Sequence, residues 1–92
     1  MKIQHEETET KGAFFILENG ERIAEMTYSK AGNDRIIIDH TQVSDRFQGE
    51  GLAKKLVLES ADFAQKYNLK VLPLCPYAKS MYFRYEELKK LT

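Results

Sequence analysis

Two glycines one residue apart, Gly49 and Gly51, stand in the middle of VSDRFQGEGLAKKLV, residues 43–57, and every other assignment has to accommodate them. An apolar run at Ile36, Ile37 and Ile38, continuing to Val43, precedes them, and a segment with helical periodicity follows. That order reads as a strand, a glycine-bearing turn and a helix start. Glycines let the backbone approach a ligand closely, and the free N–H groups at a helix N-terminus favour bound anions. The stretch Arg46-Phe47-Gln48-Gly49-Glu50-Gly51 is therefore expected to cradle a phosphate.

Upstream, residues 2–10 are highly charged and alternate weakly, which suits an exposed edge strand. Residues 13–17 and 22–28 are short apolar or alternating runs joined through Asn19-Gly20. Both residues tolerate the positive φ of a type I′ turn, so a hairpin is expected. A second turn cluster, KAGND at residues 30–34, hands the chain to a strand from Arg35 to about Val43, completing an antiparallel meander.

Downstream, Leu52, Ala53, Leu56, Val57, Ala61, Ala64 and Tyr67 recur at helical steps, predicting one helix that begins near Gly49 and ends at Asn68. KVLPL, residues 70–74, reads as a buried strand reached by a right-handed crossover. Pro73 within it requires an edge, a bulge or a place where neighbouring strands splay. Cys75-Pro76 opens a second helix, with Ala78, Met81, Tyr82, Tyr85 and Leu88 on its apolar face.

Composition narrows the function classes. The 92 residues fit one domain, residues 1–92, expected as a monomer or homodimer. Fourteen Lys plus Arg balance 14 Asp plus Glu, so the long-range attraction to nucleic acid or an anionic membrane is missing. No stretch has the length of a signal peptide core or a membrane span, which points to the cytoplasm. One cysteine forms no internal disulfide, and with two histidines it lacks metal-site spacing, so no metal is expected.

Arg46 to Gly51 also matches Gln/Arg-x-x-Gly-x-Gly/Ala without a gap, and Ala78 and Tyr82 fit Asn-x-x-Ala-x-x-Leu-Tyr, with Met81 for Leu and Cys75 for Asn. In both respects the chain resembles the GNAT acyltransferase superfamily, over roughly residues 12–88, and within it the small truncated group with a Cys-Pro or Cys-Ser pair after the fifth strand. The resemblance implies an α/β (α+β) fold, a mostly antiparallel sheet of four to five strands with two main helices. It implies an acyl-CoA-dependent N-acyltransferase, with acetyl-CoA as donor and an amine or protein group as acceptor. A coenzyme A-binding module without catalysis is the other reading.

On that resemblance, the N–H groups of Gln48, Gly49, Glu50, Gly51, Leu52 and Ala53 would hold the pyrophosphate of coenzyme A, beside Arg46 and Phe47. The main chain of Thr41, Gln42 and Val43 would pair with the pantetheine arm, and the strand ending at Leu74 would splay away from it. Tyr82 would protonate the leaving thiolate, or is a core aromatic with a satisfied hydroxyl. Cys75 would accept the acyl group, or is a small buried residue closing a strand. His40 would deprotonate the amine, or is a surface histidine. His5 receives no role. On the same resemblance, the family's usual helical segment between the first two strands and its last two strands are not expected here, which would leave the acceptor half of a site largely missing.

Overall fold

Asn19 and Gly20 hold φ of 52° and 81°, as a two-residue type I′ turn requires, and close the hairpin between β2 (Lys11–Glu18) and β3 (Glu21–Lys30). The computed structural model describes residues 2–92. β1 (Ile3–Glu7) pairs with β2 at the edge of the sheet, and β4 (Arg35–Val43) pairs with β3, all antiparallel. α1 (Leu52–Lys66) then crosses over to β5 (Lys70–Pro73), which runs parallel to β4. The sheet order is β1-β2-β3-β4-β5, followed in the chain by α2 (Pro76–Arg84) and the single turn α3 (Glu86–Lys89). This is the α/β, mostly antiparallel fold the sequence led one to expect.

Strand alternation sends Phe14, Ile16, Met26, Tyr28, Ile36 and Ile38 to one face. There they meet Leu52, Leu56, Val57, Ala61 and Ala64 of α1, and Ala78, Met81 and Tyr82 of α2, in one core. Two bulges re-aim the strands: Ile23 is the extra residue of β3 against β2, and Asp39 that of β4 against β3. On the opposite face Phe15 is shielded by the Arg22 guanidinium 3.8 Å from its ring centroid, itself paired with Glu6 and Glu25.

Several expectations are corrected. α1 begins at Leu52, not near Gly49, because Gly49 and Gly51 both hold left-handed φ that a helix cannot contain. Tyr67 is not on its apolar face: Asn68 at φ 56° turns the chain and leaves Tyr67 57% exposed, while Ser60 is buried instead. The second helix is two: Tyr85 is extended, so α2 stops at Arg84 and Leu88 enters the core from α3. Pro73 ends β5, the other edge strand, opposite Ile38. Among the described residues no helix is long and apolar enough to cross a membrane, and no cluster of His, Cys, Asp or Glu is arranged to hold a metal ion.

Candidate functional site

The glycine turn is held from both sides. Ser44 N donates to Ile23 O at 2.7 Å as β4 ends, and a 3₁₀ turn, Asp45–Phe47, packs Phe47 against the core. Gln48 Nε2 then reaches back to Val43 O at 2.8 Å, fixing the start of the turn. Gly49 and Gly51 stand at φ of 85° and 76°, conformations that L side chains rarely adopt, and the space beside both is open. Gly51 is the N-cap of α1 and supplies no side-chain acceptor, and the first turn of α1 contains no acidic residue. Its leading N–H groups thus face outward unpaired at the positive end of the helix, with Lys54 and Lys55 exposed beside them. The chemistry fits a polyanion.

A second feature lies one strand end away. The β4–β5 ladder runs only from Arg35 opposite Lys70 to Ile38 opposite Pro73. Leu74 N and Cys75 N both donate to Ile38 O, at 3.1 and 3.3 Å, and the chain then turns into α2. From Asp39 to Val43, β4 therefore has β3 on one side and, among the described residues, no strand on the other. Apart from Val43 O, which Gln48 Nε2 already holds, backbone groups on that open side can pair with an extended ligand. Cys75 is the N-cap of α2, 7% exposed, and Lys79 N donates to its carbonyl at 2.8 Å. Burial pushes its thiol pKa up, but the approach of the Thr41 hydroxyl and of the Ala78, Tyr77 and Thr41 backbone outweighs this, and the net shift is down. The Thr41 approach stops short of a formed bond, since Oγ1 is buried without a partner at bonding geometry.

Tyr82 and His40 each have a side-chain partner of their own. Tyr82 is fully buried, with its hydroxyl 2.8 Å from Ser60 Oγ, whose own proton goes to Val57 O at 2.6 Å. Burial first, and the Asp62 charge next, push its pKa up to about 12 against the lowering effect of Ser60. In this arrangement the hydroxyl is spent on α1 and closed off from solvent, which is the core placement weighed from sequence. His40 is exposed, with Nε2 3.0 Å from Gln42 Oε1.

A recess of about 760 Å³ lies elsewhere, lined by the second half of α1, β1 and the β3–β4 turn. It contains His5, to which sequence reasoning gave no role: His5 and Tyr28 are 23 positions apart, and no local pattern announces their contact.

Comparison with known proteins draws these features together. Residues 13–91 match the family model described as GCN5-related N-acetyl-transferase. A GCN5-like protein from Staphylococcus aureus, solved by NMR, is 34% identical with a TM-score of 0.72, over 96% of this chain and 85% of that one. The ribosomal-protein-alanine N-acetyltransferase of Brucella melitensis has a TM-score of 0.68 at 20% identity, over 84% of this chain and 62% of that one, a likeness of fold alone. Protein NATD1 of Xenopus tropicalis is 35% identical over 54 residues, 59% of this chain; the match spans half the length of that curated relative.

Proposed function

The chain belongs to the GCN5-related N-acetyltransferase family, and we propose that it transfers an acetyl group from acetyl-CoA to an amine acceptor. The observation that carries this reading is the release of β4 from β5 after Ile38, beside the Cys75 thiol and one strand end from the glycine turn. The pyrophosphate takes the N–H groups of Gly49, Glu50, Gly51, Leu52 and Ala53, and that of Gln48 on release of its 3.4 Å bond to Asp45 O, with Arg46 and Phe47 flanking it. The pantetheine amides pair with the main chain of Thr41, Gln42 and Val43, which delivers the thioester toward Cys75.

In the reaction the amine lone pair attacks the thioester carbonyl, a C–N bond forms, and the C–S bond breaks. Coenzyme A leaves as a thiol once its sulfur takes a proton, and the amine proton passes to a base. His40, exposed and oriented by Gln42, is the proposed base. Tyr82 keeps its proton at every physiological pH and serves as the acid on opening its bond to Ser60. Cys75 is the proposed first acceptor of the acetyl group, losing its own proton, before the amine takes it.

Thermal shift with acetyl-CoA reports binding through linkage, and free-thiol release with amines and peptides reports turnover. Stabilisation together with thiol release is the expected result. Stabilisation without release from any acceptor favours the second reading, a coenzyme A-binding module, to which the sealed Tyr82 hydroxyl also lends support. No shift at millimolar acetyl-CoA contradicts both readings.

A further inference from the structure

The recess of about 760 Å³ at the far end of α1 has the size of a small-molecule site and contains a polar chain that acetyl transfer does not use. Its lining from α1 is Glu59, Asp62, Phe63, Lys66 and the following Tyr67, roughly 12–24 Å along the helix from Gly51. It is separate from the coenzyme A site proposed above.

Lys30 Nζ lies 3.0 Å from Glu7 Oε1, Tyr28 donates its hydroxyl proton to Glu7 Oε2 at 2.7 Å, and His5 Nε2 is 2.6 Å from the same hydroxyl oxygen. The proton positions follow from chemistry. The Glu7 pKa is lowered, so its carboxylate is acceptor-only and the one proton of Tyr28 is committed to it. His5 must then donate from Nε2, and burial, its largest influence, holds the imidazole toward the neutral form despite Glu7 and Glu59. In that tautomer Nδ1 is a lone-pair acceptor, and it has no hydrogen-bond partner among the described residues. Tyr28 is 1% exposed and lies across Gly12, where a Cβ would meet its ring at 2.2 Å, so the chain is built into the sheet. Anchoring β1 accounts for the Tyr28 contacts; His5 itself is exposed, so Nδ1 is open to solvent or to a ligand entering the recess.

The surroundings fix the kind of ligand. The His5 ring is stacked on the buried Phe14 at 4.2 Å and met edge-on by Phe63 at 4.8 Å, so His5, Phe63 and Tyr67 make the accessible aromatic floor. Three cations, Lys30, Arg35 and Lys66, line the recess against four carboxylates, Glu7, Glu9, Glu59 and Asp62, and Lys30 is paired with Glu7. Glu9, Glu59 and Asp62 have no ion pair among the described residues, so the recess is acidic on balance. We propose that it binds a small organic cation, an ammonium on an apolar or aromatic body: the N–H groups donate to His5 Nδ1, Glu59 and Asp62, and the body lies on the aromatic floor.

Amide-shift titration with phenethylammonium, with phenylacetate and phenethyl alcohol as anionic and neutral analogues, tests this. The ammonium is expected to give saturable shifts at residues 5–14 and 59–67 and none at residues 46–53. Asp62→Asn, an exposed change, and His5→Phe, which keeps a stacked ring and removes Nδ1, each weaken binding roughly tenfold. No saturation at millimolar ammonium, equal binding of the three compounds, shifts centred on the glycine turn, or unchanged affinity in Asp62→Asn would each overturn the proposal. Acetyl-CoA binding is read independently at residues 46–53, so failure of one site leaves the other measurable.

Discussion

Cys75 N donates to Ile38 O at 3.3 Å, at the point where β4 loses its partner strand, and this bond sets the thiol beside the free edge of β4. A ligand paired with that edge covers the thiol. Alkylation of Cys75 by iodoacetamide is therefore expected to slow when acetyl-CoA is present, and its pH profile to turn over below the ordinary thiol value, following the lowered pKa. Intact mass after incubation with acetyl-CoA distinguishes a covalent role: an acetyl group absent from Cys75→Ala supports it, and equal acetylation of both proteins removes it.

Thr41 Oγ1 is buried without a hydrogen-bond partner, an arrangement that costs stability unless a ligand completes it. Thr41→Val is expected to raise the unfolding free energy by about 1 kcal/mol, measured by urea denaturation. It should also weaken acetyl-CoA binding and raise the Cys75 pKa, because the hydroxyl is the foremost group lowering it. Lower stability in the variant would show that the hydroxyl is already satisfied.

Tyr82 gives the fold a sensitivity to alkaline pH. Below its unfolded value of 10.0, both folded and unfolded chains keep the phenol proton. Between 10.0 and about 12 the unfolded chain loses it first, so stability falls as pH rises through that window. The loss is on the order of 2–3 kcal/mol, and Tyr28, shifted in the same direction, adds to it. Urea denaturation across the window measures the slope. Tyr82→Phe is expected to flatten it, at a cost of about 1 kcal/mol for the bond to Ser60.

How far the sequence reached depended on the range of each interaction. The Asn19-Gly20 hairpin, the glycine turn before α1 and the Cys75-Pro76 helix start were legible because each rests on the backbone preferences of two or three adjacent residues. The separation of β4 from β5 was legible through Pro73 and the family resemblance together. Ser60 was missed because a serine on a helix face reads as solvated, and only its distance to Tyr82, 22 positions on, shows why it is buried. Tyr67 and Tyr85 were assigned to apolar faces by periodicity, but α1 ends one residue before Tyr67 and Tyr85 is itself extended. The His5–Tyr28–Glu7 chain depends on strand register, which no local pattern specifies.

Gly51 separates the backbone requirement of the turn from its space requirement. A Cβ there meets nothing within 4 Å, so Gly51→Ala acts through its φ of 76° alone. The substitution is expected to cost about 1–2 kcal/mol of stability by thermal or urea unfolding. It should weaken acetyl-CoA more than it weakens a pantetheine fragment without the pyrophosphate, because the disturbed N–H groups are the ones assigned to phosphate. Equal weakening of both would place the pyrophosphate elsewhere.

The most direct test of the coenzyme A assignment is an amide-shift titration of the whole chain, first with acetyl-CoA and then with coenzyme A. The predicted result is saturable perturbation of Gln48 to Ala53 and of Thr41 to Val43 with both ligands, and of Cys75 more strongly with acetyl-CoA than with coenzyme A. Perturbations that leave the glycine turn unmoved, or none at millimolar ligand, would contradict it.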